Sequence, residues 1–160
     1  MLLANPTYQQ AQTSSPTLHR LCLETLRLTA HSIGAIRTVR HDFQLDEDLI
    51  PQGSTIALTH LSSSLNPEYW VDPQRLDLDL KSPHRSKELY ENDYIFNVFS
   101  HGIHKCPGQR LAIVLLQCTV AILLSDYNIT LPKPIPPLCF ERATLAQRQG
   151  PVNITMTKQA

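Results

Sequence analysis

From Phe99 to Gly108 the sequence reads Phe-Ser-His-Gly-Ile-His-Lys-Cys-Pro-Gly. Cys106 stands there with a titratable side chain, His104, two positions before it and glycines at 102 and 108. A thiolate is a strong metal ligand when something lowers its pKa, and a helix N-terminus does so through its free amide dipoles. The apolar run from Leu111 to Leu124 predicts such a helix and sets Cys106 at its start. Glycine lets a backbone fold tightly against a flat partner and turn N–H groups toward the sulfur. Together these features describe a cysteine loop beneath a haem iron.

Two other readings use the same residues. A buried cysteine capping a core helix needs no ligand at all. A zinc cluster of His101, His104 and Cys106 lacks a second paired-ligand segment of the Cys-x-x-Cys or His-x-x-x-His kind. The segment resembles the haem-binding signature of the cytochrome P450 family, the haem-thiolate monooxygenases. That signature runs Phe, two spacers, Gly, spacer, basic residue, spacer, Cys, spacer, Gly, and Phe99, Gly102, His104, Cys106 and Gly108 fill it. The resemblance implies Cys106 as the axial thiolate ligand of haem iron, with Phe99 packed against sulfur and ring. It gives His104 the task of donating to a propionate, a more pH-sensitive partner than the arginine often found there.

Upstream elements must position this loop. Ser15-Pro16 opens a helix, serine as N-cap and proline at the first helical position. Leu18, Leu21, Cys22, Thr25, Leu26 and Leu28 then recur at helical spacing. Glu24 and Arg27 are three apart and so share a face; an isolated pair of this kind is usually a surface ion pair of small worth. Here they resemble the family's Glu-x-x-Arg motif, which implies a buried structural pair that holds the segment carrying the cysteine loop. Arg37 to Leu45 alternates as a strand, Asp46–Asp48 turns, and a second strand through Thr55–Leu58 completes a hairpin. On one strand Arg37 and Arg40 point to opposite faces, so only one reaches a haem propionate. The family's arginine at the start of this strand matches Arg37, whose guanidinium can fork onto a carboxylate.

Asn66-Pro-Glu-Tyr-Trp70 and Asp72-Pro73 resemble the family's short helix and the meander after it. The arginine expected shortly beyond, to complete a triad with Glu24 and Arg27, is not in strict register; Arg75 and Arg85 both remain open. Residues 81–94 are charged and turn-rich, which predicts an exposed loop. After the apolar helix come a strand at 128–131, an extended proline-rich connector at 132–137, and a final strand at 152–157. By resemblance, 32–36 and the tip of a C-terminal hairpin at 145–150 wall the substrate pocket.

The fold class expected is mainly α with small β-sheets (α+β), matching the C-terminal portion of the P450 fold. In order this gives Glu-x-x-Arg helix, β-hairpin, meander, cysteine loop, long apolar helix and C-terminal β-hairpin. Residues 1–14 read as a disordered tail or the remnant of a preceding element, and 15–160 as part of a single domain. With 14 basic and 14 acidic residues there is no electrostatic footprint for nucleic acid. Four irregularly spaced cysteines fit a reducing, intracellular compartment better than a disulfide scaffold. No signal peptide or membrane anchor is read, although full-length relatives of this kind are often anchored in the endoplasmic reticulum.

The resemblance implies an oxidoreductase: a monooxygenase that takes electrons from a reductase and oxygenates a small hydrophobic substrate. The family's distal oxygen-activating helix is not recognisable, so no catalytic side chain is assigned. The alternative is a catalytically inactive haem-binding or interaction remnant.

Overall fold

The computed structural model describes residues 15–29, 34–131, 135–139 and 147–159. Residues 1–14, 30–33, 132–134, 140–146 and 160 lie outside them, and with these the tail, half of the proline-rich connector and parts of both pocket-wall segments.

Helix α1 spans Pro16–Thr29. Ser15 Oγ accepts the Leu18 amide at 3.2 Å, satisfying one of the free donors of the first turn. The helix buries Cys22, Leu23, Glu24, Leu26 and Arg27. The chain then forms two nested antiparallel ladders. The outer pairs β1 (Gly34–Thr38) with β4 (Thr55–Thr59); the inner pairs β2 (Phe43–Leu45) with β3 (Asp48–Ile50).

The single strand expected from Arg37 to Leu45 is therefore broken. Val39 leaves the ladder to exchange backbone hydrogen bonds with Ser54 and Gly53, and Asp42 Oδ1 accepts the Gln52 amide. The break cancels the argument from opposite strand faces. Arg37 is on β1, whereas Arg40 lies exposed in the bend beyond it.

Helix α2 (His60–Ser64) follows β4 directly. Residues 65–82 form an irregular meander folded back over α1. The stretch 81–94, read from its charge as an exposed loop, instead holds a 3₁₀ turn at Pro83–Arg85 and helix α3 (Lys87–Glu91). It buries Arg85 and Tyr90 while its other charged residues stay in solvent. Charge density concealed an inward-facing minority.

A second 3₁₀ turn, Gly102–His104, leads to helix α4 (Gln109–Asp126). The chain ends in another nested pair of ladders. Strand β5 (Tyr127–Thr130) runs antiparallel to β8 (Thr155–Lys158), enclosing β6 (Leu138–Cys139) and β7 (Gln147–Arg148).

The core lies where α1, the meander, α3 and the cysteine loop meet. Leu23, Leu26, Trp70, Tyr90, Phe96, Val98 and Phe99 form one buried cluster, with Ala112 and Ile113 of α4 against it. Tyr90 meets Phe96 edge-on at 5.4 Å and Trp70 at a tilt at 5.3 Å, geometries that aromatic quadrupoles favour. Packing thus connects the Glu24 helix to Phe99, the first residue of the cysteine loop.

Candidate functional site

Beneath the loop is a buried charge cluster centred on Glu24. Arg27, three residues along α1, forks onto it with Nε at 2.6 Å from Oε1 and Nη2 at 2.9 Å from Oε2. Arg85 Nε reaches Oε2 at 3.2 Å, Tyr90 donates its hydroxyl to Oε1 at 2.7 Å, and the Asp77 amide donates to Oε2 at 3.1 Å. All three charged side chains are essentially inaccessible to solvent.

Their remaining donors go to backbone carbonyls: Arg27 to Ser64, Pro73 and Arg75, and Arg85 to Val71, Asp72, His84 and Arg75. Trp70 lies under both guanidinium groups, at 4.9 and 5.6 Å, and donates its indole N–H to Ser63. Burial works to raise the Glu24 carboxyl. The hydrogen bonds from Arg27, Tyr90 and Asp77, with the Arg27 charge, outweigh it and hold the group below its ordinary range.

This geometry settles which arginine stands beside the pair. Arg85 supplies its side chain; Arg75 supplies its carbonyl, with its own side chain exposed.

The cysteine loop sits on that platform. The Cys106 amide donates to the Phe99 carbonyl at 2.8 Å, closing the loop on itself. Ser100 and Gly102 take left-handed backbone angles, φ +62° and +63°, and turn the chain between those ends. The Cys106 carbonyl accepts the Gln109 amide, so the cysteine is tied to the first turn of α4. Its thiol is exposed and free of any disulfide. A Cβ placed on Gly108 would lie 3.8 Å from the sulfur, an ordinary contact, whereas one on Gly102 would meet only open space.

His104 is exposed on the 3₁₀ turn, and its neighbour Lys105 pairs with Asp93 at 2.6 Å, fastening the loop to the segment before it. His101 is partly exposed and meets the Tyr94 ring at a tilt of 47°, with ring centres 5.0 Å apart. Among the described residues no group of three His, Cys, Asp or Glu side chains is disposed to hold a metal ion, so the zinc reading finds no cluster. Arg37 is half-buried on β1 and donates to the carbonyl of Ile36, its chain neighbour.

Between α1 and α4 runs an apolar groove of about 510 Å3 with Phe99 at its wall. Leu21, Cys22, Leu26, Ala112, Leu116 and Val120 line it. Thr29 is there too, but its hydroxyl turns back to the Thr25 carbonyl at 2.7 Å, so it offers the groove no free donor. The volume is within the range of cofactor and ligand sites. Sequence reading did not find this groove, because it needs two helices 80 residues apart to be laid side by side; the apolar spacing on each was the available signal.

The family model described as Cytochrome P450 matches residues 4–156. Cytochrome P450 3A18 of Rattus norvegicus is 25% identical over 137 residues, 85% of this chain and 27% of the relative. Cytochrome P450 monooxygenase helB1 of Aspergillus fumigatus is 31% identical over 127 residues, 78% of this chain and 21% of the relative. Ent-kaurenoic acid oxidase 2 of Arabidopsis thaliana is 30% identical over 117 residues, 73% of this chain and 23% of the relative. Among solved structures, the cyanobacterial CYP120A1 with bound retinoic acid superposes with a TM-score of 0.77 at 19% identity, over 92% of this chain and 33% of that one. The chain thus spans about a quarter of the length of the curated relatives it matches.

Proposed function

The chain belongs to the cytochrome P450 family, and from that premise we propose that it is the thiolate-bearing part of a haem-thiolate monooxygenase, with Cys106 as the axial ligand of the iron. The residues fit such a group. Cys106 presents a free, exposed thiol at the head of α4, glycines keep the adjoining backbone bare, and Phe99 links the loop to a broad apolar groove. The observation that carries the reading is this thiol, held in place by the Cys106–Phe99 backbone hydrogen bond above a buried charge cluster.

When bound, a haem with a thiolate ligand supplies oxygen activation, the sulfur feeding electron density to the iron. The chain's own residues do the holding. Cys106 would ligate the iron, Phe99 would pack against sulfur and ring, and Gly102 and Gly108 would allow close approach of the ring. His104 and Arg37 are the partners proposed for the propionates. Glu24, Arg27 and Arg85 act on none of the reacting atoms; they anchor the meander and, through Trp70, Tyr90 and Phe96, the cysteine loop.

We propose a small hydrophobic substrate and an electron-donating reductase as partners. A relative named for ent-kaurenoic acid and a structural neighbour holding retinoic acid support a mainly apolar substrate. An intracellular setting goes with this reading, since the four cysteines are all free.

The test is spectroscopic. Residues 1–160 are loaded with haem, reduced and exposed to carbon monoxide. A red-shifted thiolate Soret band that disappears in Cys106→Ala, with helix content unchanged, is expected. A band that survives the substitution, or no thiolate band in the wild type, overturns the assignment.

A further inference from the structure

Helices α1 and α4 meet at one polar contact that the haem reading does not use. Gln117 is 2% exposed in the middle of a mainly apolar helix, and its Nε2 lies 3.3 Å from Nδ1 of His19, which is exposed on α1. The other half of the amide, Oε1, is buried with no hydrogen-bond partner. A buried acceptor left unmade is costly, so the amide has a reason to reverse whenever a donor faces it.

His19 supplies that donor on protonation. Neutral, with the proton on Nε2, it accepts from the amide N–H; charged, it carries a proton on both nitrogens, and Nδ1–H can donate only to Oε1. We propose that His19 and Gln117 form a protonation-set latch between α1 and α4, the Gln117 amide donating to neutral His19 and reversing to accept from charged His19. Each state retains one hydrogen bond across the helix pair, and each leaves the opposite end of the amide bare.

The latch adjoins the groove. On α1, Cys22 is one turn on from His19, and on α4 Leu116 and Val120 flank Gln117; all three line the groove. Among the described residues, burial, Gln117 and the Arg20 charge on the same helix are what move His19. Burial comes first, and with Arg20 it lowers the histidine, while Gln117 works to raise it; the net is below the ordinary range. The neutral, accepting state is therefore the resting one at neutral pH, and the reversed state belongs to mild acid.

The experiment is an NMR titration of the 160-residue chain that follows the His19 ring nitrogens and the Gln117 side-chain amide. The latch requires an unprotonated Nδ1 at neutral pH and a Gln117 amide signal that shifts with the His19 midpoint. A proton on Nδ1 at neutral pH, or an amide signal indifferent to His19, overturns it.

Gln117→Leu adds a test of sign. Loss of an acceptor for charged His19 lowers its midpoint by roughly half to one pH unit. If the amide never reverses, removing its N–H from beside a cation raises the midpoint instead, and that result, or no change, refutes the latch. Should the variant not fold, the wild-type titration alone decides.

Discussion

Arg75 and Arg85 are ten residues apart and both serve the Glu24 cluster, one with its backbone and one with its charge. Their substitutions should therefore separate. Arg85→Ala leaves part of a buried carboxylate uncompensated and should cost roughly 3–5 kcal/mol. Arg75→Ala removes only an exposed side chain and should stay within about 0.5 kcal/mol. Urea melts of the two variants check this. The same cluster sets the acid limit. Because the Glu24 carboxyl titrates lower folded than unfolded, its contribution is complete above the ordinary carboxylate pKa of about 4.3. It is lost as pH falls through the folded value. Arg85→Ala should move the acid transition, followed by circular dichroism, up by about one pH unit. Of this cluster, sequence could show Glu24 and Arg27, whose spacing is a local property of a helix. Arg85 reaches Glu24 across 61 residues. Tyr90 reaches it across 66, and no local rule selects either.

Among the elements, the two nested ladders after α1 depend on glycines in different ways. Gly34 has φ +129°, and a Cβ there would lie 1.9 Å from the Leu58 carbonyl on the facing strand. Gly53 has φ +85° with open space around it. Gly34→Ala must therefore push β4 away as well as strain its own backbone, and should cost about 3 kcal/mol or more. Gly53→Ala should cost about 1 kcal/mol. Thermal melts will rank them. The long helices and the cysteine loop were legible from spacing because apolar periodicity and turn chemistry are written locally. The helices at His60–Ser64 and Lys87–Glu91 were not, being single turns of polar sequence too short to show a period. The broken strand at Val39–Asp42 escaped for a related reason: its hydrogen bonds go to residues 52–54, and alternation continues across the break.

For the molecule as a whole, α4 is the anomaly. Its 18 residues suffice by length and composition to cross a membrane, but its join to the cysteine loop and its contact with α1 make it part of the fold. Of its apolar side chains only Val114 is fully buried, while Leu111, Leu115, Leu116, Ile122 and Leu124 are exposed. An apolar surface of this extent binds other apolar matter. The 160-residue chain should bind a hydrophobic fluorescent dye strongly, and Leu115→Lys with Ile122→Lys should reduce the signal to about half. An unchanged signal would place the dye elsewhere. This breadth was visible in the sequence as an apolar run broken only by Gln117 and Thr119; which side of it meets α1 was not.

The Glu24 cluster also constrains the order in which this chain can mature on a ribosome. Glu24 and Arg27 emerge early, yet their partners extend to Arg85 and Tyr90. Until Tyr90 has been synthesised, α1 can bury its apolar residues only by taking the Glu24–Arg27 pair into a dry interior without its full set of hydrogen bonds, which is costly. Helix α1 therefore gains its complete set of buried partners only after Tyr90 has emerged, and Phe99 and Cys106 follow it directly in the chain. A nascent chain stalled before Tyr90 should be degraded by protease throughout, and one stalled after α4 should resist over α1, the meander and the cysteine loop together.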